Sequence, residues 1–361
     1  MKEKLKTISF YTIQLFICAI ILELTCNLFL QHSTNPLYRA RKILQYDFDL
    51  GWMQKPNLKT TFEKQPVLTN DNGFRLPKNN NQSTDVQILT LGPSSAFGWG
   101  VANEDTYTSI IGEKLKLNPL NASGIGHSIL QGQKMWQKVS PLLHPQYAVI
   151  AYGVNDLDKF RFFDSEPVND LTFFSQGPYG LAIDKMQLPT DFASSLSLVL
   201  RQIEHSINCE KLVNSAQRVE WKDYENALTA MTNEMKEKNI TPIIINTPFL
   251  LKHKNSLFSK TLIENTYLEM KNLARNKKCK EAQEKLKFAK TLEPDNINIS
   301  VIEFNGFLKK FCEEKKLKCI DSWSLLVNSS ATNNFYDPVH PSAKGHKLIA
   351  DEIVKLIQQK N

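Results

Sequence analysis

The sequence predicts an α/β fold, a three-layer α/β/α sandwich around a mostly parallel sheet, with a transmembrane helix at the N-terminus. Three observations carry this. Short apolar runs of strand length, "VQILTLG" (86–92), "YAVIAYG" (147–153) and "TPIIINTP" (241–248), recur between stretches with helical spacing. Short loops join them, which favours parallel strands with crossover helices on both faces. Residues 8–30, "ISFYTIQLFICAIILELTCNLFL", are almost continuously apolar.

That N-terminal stretch, rising about 1.5 Å per residue, is long enough to span a hydrocarbon layer of ~30 Å. It lacks a small-residue cleavage site of the A-x-A kind, so an uncleaved signal anchor is expected rather than a signal peptide. "LELTC" around Cys26 faintly resembles a lipoprotein cleavage box, but Thr25 is large for its position. Lys2, Lys4 and Lys6 favour a cytoplasmic N-terminus, although Arg39, Arg41 and Lys42 follow the span. No second span is evident. The expectation is a single-pass inner-membrane protein with its soluble part facing the periplasm or cell exterior. Glu23 is costly in lipid; it either meets a partner helix or snorkels and pairs locally.

The chain divides into a cytoplasmic stub and anchor (1–30), an extended lead-in (31–84) and an α/β domain (85–361). In the lead-in, "DFDLGWMQKPN" (47–57) and "TNDNGFRLP" (69–77) alternate turn residues with aromatics, as a segment wrapped on a domain would. The strand at 86–92 is followed by a helix at 105–116, a short strand entering a glycine-bearing loop at 117–128, and a helix at 131–143. The strand at 147–153 leads into a long irregular stretch, 157–192, rich in Phe, Pro and Gly. Helices at 193–206 and 222–238 bracket the approach to the strand at 241–248. Residues 263–296 read as two helices, part of a helical insertion near 260–296. Ala282, Leu286, Ala289 and Pro294 there resemble the latter half of a tetratricopeptide repeat, but no second copy follows, and an inserted hairpin accounts for them equally. A further helix and strand end near Asp321, and 342–360 closes the chain as an amphipathic helix.

Composition removes several function classes. The net charge of +7 is mild and its basic residues are interleaved with acids, so no nucleic-acid partner is expected. There is no dinucleotide glycine signature, P-loop lysine or dense ligand cluster, so neither cofactor nor metal is expected. Asp156 and Asp158 suit solvation or capping better than metal binding. Six cysteines are present. Cys209, Cys279, Cys312 and Cys319 lie outside the span; disulfides and free thiols both remain open, with Cys312 and Cys319 close enough in sequence to pair.

Chemistry concentrates at strand ends. "ILTLGPSSAFGWG" (88–100) runs a strand into a serine at a strand-to-helix turn, where a hydroxyl sits beside free helix amides. Near the C-terminus "FYDPVHPSAKGH" (335–346) sets Asp337 and His340 three residues apart, as an orienting acid and a base require. His346, in the next helix, fits a structural or partly exposed role. Oxyanion donors are available from the Ser94 amide, from Gly126, which has no side chain in the way, and from the Asn155 side chain. Ser95 is the neighbouring hydroxyl, but the register with Gly98 and Gly100 favours Ser94.

These four blocks resemble the SGNH, or GDSL-like, hydrolase family. "LGPSSAFGWG", "NASGIGHS", "GVNDL" and "DPVHPSAKGH" are similar to its four motifs, which implies catalytic roles for Ser94, Gly126, Asn155, Asp337 and His340. "LGWMQKPN" and "NGFR" resemble the lead-in of membrane-anchored bacterial members, associated with esterase chemistry or acyl transfer to surface glycans. The departure is Pro93, where the family ordinarily has Asp. That Asp is not the acid of the triad, and proline removes its own N–H rather than Ser94's. The expected function is thus a serine esterase acting on ester-linked acyl groups, of cell-envelope glycans in the leading case, through an acyl-serine. Alternatives are an O-acyltransferase to a surface polysaccharide, with a membrane acyltransferase as partner, or an inactive scaffold that binds glycan or a membrane protein.

Overall fold

The computed structural model describes residues 2–33, 39–77, 85–157, 159–161, 178–188, 190–207, 209, 212, 216–250, 257–328 and 331–359. The chain begins with one long helix, α1 (Lys2–His32), followed by two antiparallel hairpins, β1 (Leu44–Asp47) with β2 (Gly51–Gln54) and β3 (Lys59–Phe62) with β4 (Gln65–Leu68). The α/β part then runs β5 (Ile88–Leu91), α2 (Ser94–Phe97), α3 (Tyr107–Leu115), β6 (Pro119–Asn121), α4 (Ile129–Val139) and β7 (Tyr147–Ile150). A small strand pair, β8 (Lys159–Arg161) and β9 (Ala216–Gln217), flanks the helices α5 (Pro178–Lys185) and α6 (Asp191–Ile207). After α7 (Trp221–Glu237) and β10 (Thr241–Ile245) come α8 (Leu257–Arg275) and α9 (Cys279–Lys315). The chain ends with β11 (Lys318–Ile320), α10 (Ser322–Asn328), α11 (Ala331–Asn334) and α12 (Ala343–Gln358).

The central sheet has five strands in the order β11-β10-β7-β5-β6, and every pairing in it is parallel. Side-chain alternation along these strands builds the two outer layers. Leu89, Leu91, Ala148, Ile150 and Ile244 point to a core shared with α4, α7 and α9. Ile88, Val149, Ile243, Ile245 and Ile320 point the other way, onto α3, α10 and α12. Both faces are covered, which explains why these strands read as unbroken apolar runs rather than as alternating ones. The three-layer sandwich is therefore as the sequence predicts.

The lead-in hairpins form a third core: Tyr46, Trp52, Phe62 and Val67 pack with Phe97 at the end of α2 and with Trp99 and Ile125 in the loops after α2 and β6. Helix starts follow their local chemistry. Ser128 and Gln131 form a reciprocal capping box on α4, and Ser342 accepts from the Gly345 amide at the start of α12.

Two details differ from the sequence reading. The segment 157–192 is not wholly irregular. Residues 162–177 and Asp158 lie outside the described residues, but 178–185 form α5, held by a buried Arg41–Asp184 ion pair at 2.6 Å that local periodicity could not reveal. The two helices expected in 263–296 and the one after them become two in all, because α9 continues through Pro294 to Lys315. A small core of its own (Tyr267, Met270, Ala274, Ala282 and Ala289) joins α8 to α9. The four cysteines outside the span, left open by the sequence, are joined as Cys312–Cys319 and as Cys209–Cys279, a pairing the sequence did not indicate.

Candidate active site

The loops that leave the carboxyl ends of β5, β6 and β7, and the segment before α12, meet at one sheet edge, the place where open α/β sheets gather ligands. After Leu91 the chain turns sharply at Gly92, where a Cβ would collide with Ala96 at 2.5 Å. Pro93 stands at the N-cap of α2 in an extended conformation, and its carbonyl accepts from the Ala96 and Phe97 amides. The single turn of α2 ends at Gly98, whose φ of 95° is open mainly to glycine. Ser94 is thereby presented as the first residue of the turn.

His340 Nε2 and Ser94 Oγ are linked by a hydrogen bond of 2.7 Å across 246 residues of sequence. The other ring nitrogen, Nδ1, lies 2.7 Å from Asp337 Oδ2. Asp337 Oδ1 accepts the amides of Val339 and His340, both at 3.0 Å, so the loop itself fixes the carboxylate. Burial raises the Asp337 pKa, but the hydrogen bond and charge of His340, with those two amides, outweigh it and hold the carboxyl below the usual range. An ionised Asp337 accepts a hydrogen bond from the Nδ1–H of a neutral imidazole, which leaves the Nε2 lone pair facing the serine hydroxyl. The structure thus brings Ser94, His340 and Asp337 into one hydrogen-bonded line. The hydroxyl of Ser95 is buried and has no partner among the described residues.

The loop 124–127 lies beside the serine turn, its Gly124 amide donating to the Gly92 carbonyl at 2.9 Å. Gly126 has φ of 75°, the left-handed region. Three successive carbonyls here are each held by a donor: Ile125 by Trp52 Nε1 at 2.7 Å, Gly126 by Arg218 Nη1 at 2.6 Å, and His127 by Asn155 Nδ2 at 3.0 Å. In a trans peptide the C=O and N–H point opposite ways, so anchoring the Ile125 carbonyl aims the Gly126 amide away from Trp52. Neither the Gly126 nor the Ser94 amide donates to a protein acceptor among the described residues. Asn155 spends one amide hydrogen on His127 and keeps the second.

His346 and His127 have other partners. His346 is fully buried and accepts the Tyr107 amide at 3.2 Å on Nδ1; burial, then the charges of Arg75 and His340, push its pKa down to about 3. The sequence allowed it partial exposure, and the packing of α12 on α3 removes that. His127 is also fully buried, with Nε2 on the Trp52 carbonyl at 2.9 Å. Asp156 accepts the Ile129 amide at 2.6 Å at the first residue of α4, which is the capping role.

Two supporting residues carry no motif signal of their own. Arg75, 1% exposed, donates to the carbonyls of Phe97 (2.8 Å), Gly98 (2.6 Å) and Val101 (2.6 Å), stapling the turn that follows Ser94. Burial lowers its pKa to about 9, against the pull of Glu104 and Asp105, so it stays charged at neutral pH. Arg218 spans Gly126 and Gln131, whose side-chain oxygen it reaches at 2.7 Å. Both sit far in sequence from what they hold, and only the "NGFR" of the lead-in hinted at Arg75.

The model of the GDSL-like lipase/acylhydrolase family matches residues 90–353, well over half of the chain. The chain belongs to that family. The GDSL-like match begins within β5 and ends within α12, so it takes in all four motif loops. Solved structures of similar fold include a lipolytic protein of the G-D-S-L family from Desulfitobacterium hafniense (11% identity, 75% of this chain and 99% of that one, TM-score 0.41). A GDSL-like lipase from Bacteroides thetaiotaomicron shares 11% identity over 76% of this chain and 89% of its own, with a TM-score of 0.40. A variant of an acetyl xylan esterase from Geobacillus stearothermophilus shares 15% over 76% and 97%, with a TM-score of 0.41. No curated protein sequence matches the chain.

Proposed function

We propose that this GDSL-like protein is a membrane-anchored serine esterase that cleaves ester-linked acyl groups, with acylated cell-envelope glycans as its substrate class. The observation that carries the reading is the Ser94–His340–Asp337 line, two hydrogen bonds of 2.7 Å each. Ser94 Oγ attacks the ester carbonyl carbon as its proton passes to His340 Nε2. The oxyanion forms against the amides of Ser94 and Gly126 and the free hydrogen of Asn155. Collapse breaks the bond to the alcohol, which takes the proton from Nε2 and departs, leaving an acyl-serine. Water then attacks with His340 as base, and the carboxylic acid and free Ser94 are regenerated.

Pro93 is compatible with this machinery, since it lacks its own N–H and not Ser94's, and its carbonyl accepts the Ala96 and Phe97 amides. Helix α1 has one stretch, Phe10–His32, long and apolar enough to cross a membrane. Together with the N-terminal lysines it supports a single-pass anchor with the catalytic domain outside the cytoplasm. The two disulfides fit that side, where thiols are oxidised. The test is covalent labelling of the full-length protein by a fluorescent alkyl phosphonate. Labelling that disappears in Ser94→Ala supports the reading; a folded wild type that never labels would favour a non-catalytic scaffold.

A further inference from the structure

Helix α6 turns an apolar stripe outward. Its buried side is mostly small or polar, Ala193 (6% exposed), Ser194 (7%), Ser195 (7%) and Ser197 (1%), together with Leu198 (2%). Its outward side carries Phe192 (41%), Val199 (47%) and Ile203 (49%), with Leu196 and Leu200 half-buried between them. Positions 192, 196, 199, 200 and 203 form one helical stripe, all apolar. A helix on a water-facing surface shows the reverse. Mostly small residues on the packed side and large apolar ones outside fit a helix whose surroundings are lipid. The patch continues through α5 and its exit, where Tyr179 (73%), Met186 (65%) and Leu188 (49%) are exposed.

What α6 packs on gives the lipid a source. Its N-terminus abuts α1 at Glu23, the one acid in the apolar stretch. Glu23 Oε1 accepts the Asp191 amide at 2.6 Å and Oε2 accepts the Phe192 amide at 3.0 Å. Asn27 Nδ2 donates to Asp191 Oδ2 at 2.6 Å, and Lys42 Nζ to Asn27 Oδ1 at 3.3 Å. A carboxylate in the span and unpaired amides at a helix start are each costly in an apolar medium, and here each satisfies the other. Glu23 thus does not need a second protein. The stripe begins at Phe192, whose amide is bonded to Glu23, and on α1 the next residue, Leu24 (59%), and Leu28 (58%), one turn on, are exposed. The α5–α6 pair is tied to the lead-in by Arg41–Asp184 and by Gln187 Nε2 on the Tyr46 carbonyl at 2.8 Å.

We infer that α5 and α6 form a second membrane element, seated in the leaflet through which α1 emerges and pinned there by Glu23, so that the bilayer is the partner of this apolar face. This rests on the reading of α1 as an anchor. The test is nitroxide labelling of the full chain in phosphatidylethanolamine/phosphatidylglycerol nanodiscs, with Cys18→Ala and Cys26→Ala as background and the disulfides kept. Single labels enter through Val199→Cys and Ile203→Cys, with Leu24→Cys reporting on the anchor and Leu142→Cys, in the exposed turn after α4, reporting on water. Relaxation by oxygen against a water-soluble nickel complex ranks each site between lipid and solvent.

The expected result is that 199 and 203 rank with 24, severalfold above 142 in the oxygen-to-nickel ratio. Sites 199 and 203 ranking with 142 while 24 stays in lipid would overturn the inference and leave the anchor standing. If 24 also ranks with 142, the anchor itself fails. Adding Glu23→Ala is expected to lower the ratio at 199 and 203 but not at 24; an unchanged ratio would remove Glu23 as the pin.

Discussion

The His340 imidazole lies flat against the Trp99 indole, with ring centroids 5.1 Å apart and planes 11° from parallel. Trp99 is in turn met edge-on by Phe62 of the β3–β4 hairpin, at 4.7 Å between centroids. The base of the proposed triad is therefore held on one side by Asp337 and on its face by an aromatic stack that starts in the lead-in. An aromatic pair of this kind adds about 0.5–1.5 kcal/mol beyond its buried area. Trp99→Leu is expected to lower kcat about tenfold at nearly constant KM, with Trp99→Phe recovering most of it. Steady-state kinetics on an aryl acetate ester check this; a kcat unchanged in Trp99→Leu would mean that Asp337 alone orients the ring.

Trp52 acts on the loop 124–127. Trp52→Phe keeps an aromatic ring but removes the N–H from the Ile125 carbonyl, leaving a buried acceptor unpaired at a cost of about 1–3 kcal/mol. The Gly126 amide loses its fixed direction with it. The expected outcome is a lower kcat with little change in KM, smaller than the roughly 10²–10³-fold loss expected for Asn155→Ala, which deletes a donor outright. Comparing the two variants on the same ester separates aiming a donor from supplying one.

Arg75 should matter chiefly to folding. Arg75→Met keeps much of the stem but removes the donor from the carbonyls of Phe97, Gly98 and Val101; Gly98 keeps the Val101 amide at 3.3 Å and Phe97 the Asn121 side chain at 3.5 Å, so Val101 bears the main loss. A loss of about 1–3 kcal/mol or somewhat more is expected. Urea unfolding followed by circular dichroism would show it, and a midpoint within error of the wild type would refute the staple.

His346 makes stability depend on acid. The unfolded chain takes up a proton near the ordinary histidine value of ~6.5, whereas the folded chain resists until about pH 3. Between those limits the unfolded state binds more protons, so stability is full above the upper value and falls as the pH drops through the window. Asp337, held below its ordinary range, adds a similar loss at the lower end. His346→Gln, which keeps an acceptor for the Tyr107 amide, is expected to flatten the fall between neutral and mildly acidic pH. Urea midpoints of both proteins across that window decide it.

The sheet was legible because its strands are buried on both faces and so appear as unbroken apolar runs, as Ile88–Leu91 and Tyr147–Ile150 do. The serine turn and the Asp337–His340 loop were legible because glycine, proline and a three-residue spacing are local. What supports them was not. Trp52, Arg75 and Arg218 reach across sequence separations of 73, 22 to 26, and 92 residues to grip carbonyl oxygens, and no side chain marks a carbonyl that needs a partner. The Cys209–Cys279 bridge, 70 residues apart, depends on where α8 and α9 fold back. Helix α9 ran past its expected end because a proline signals a break locally while packing decides whether one occurs.

The most direct measurement on the catalytic reading is to quench the full-length protein during turnover of an aryl acetate ester and map the acetyl group by peptide mass spectrometry. Acetyl on Ser94 is expected in the wild type, greatly reduced in His340→Ala, and more persistent in neither Ser95 nor any other hydroxyl. Ser94→Ala and the Ser94/His340 double variant should then lose activity to nearly the same level, since both residues serve one proton transfer. A folded Ser94→Ala protein that still turns over the ester, or a wild type that turns over with no acetyl at Ser94, would contradict the triad.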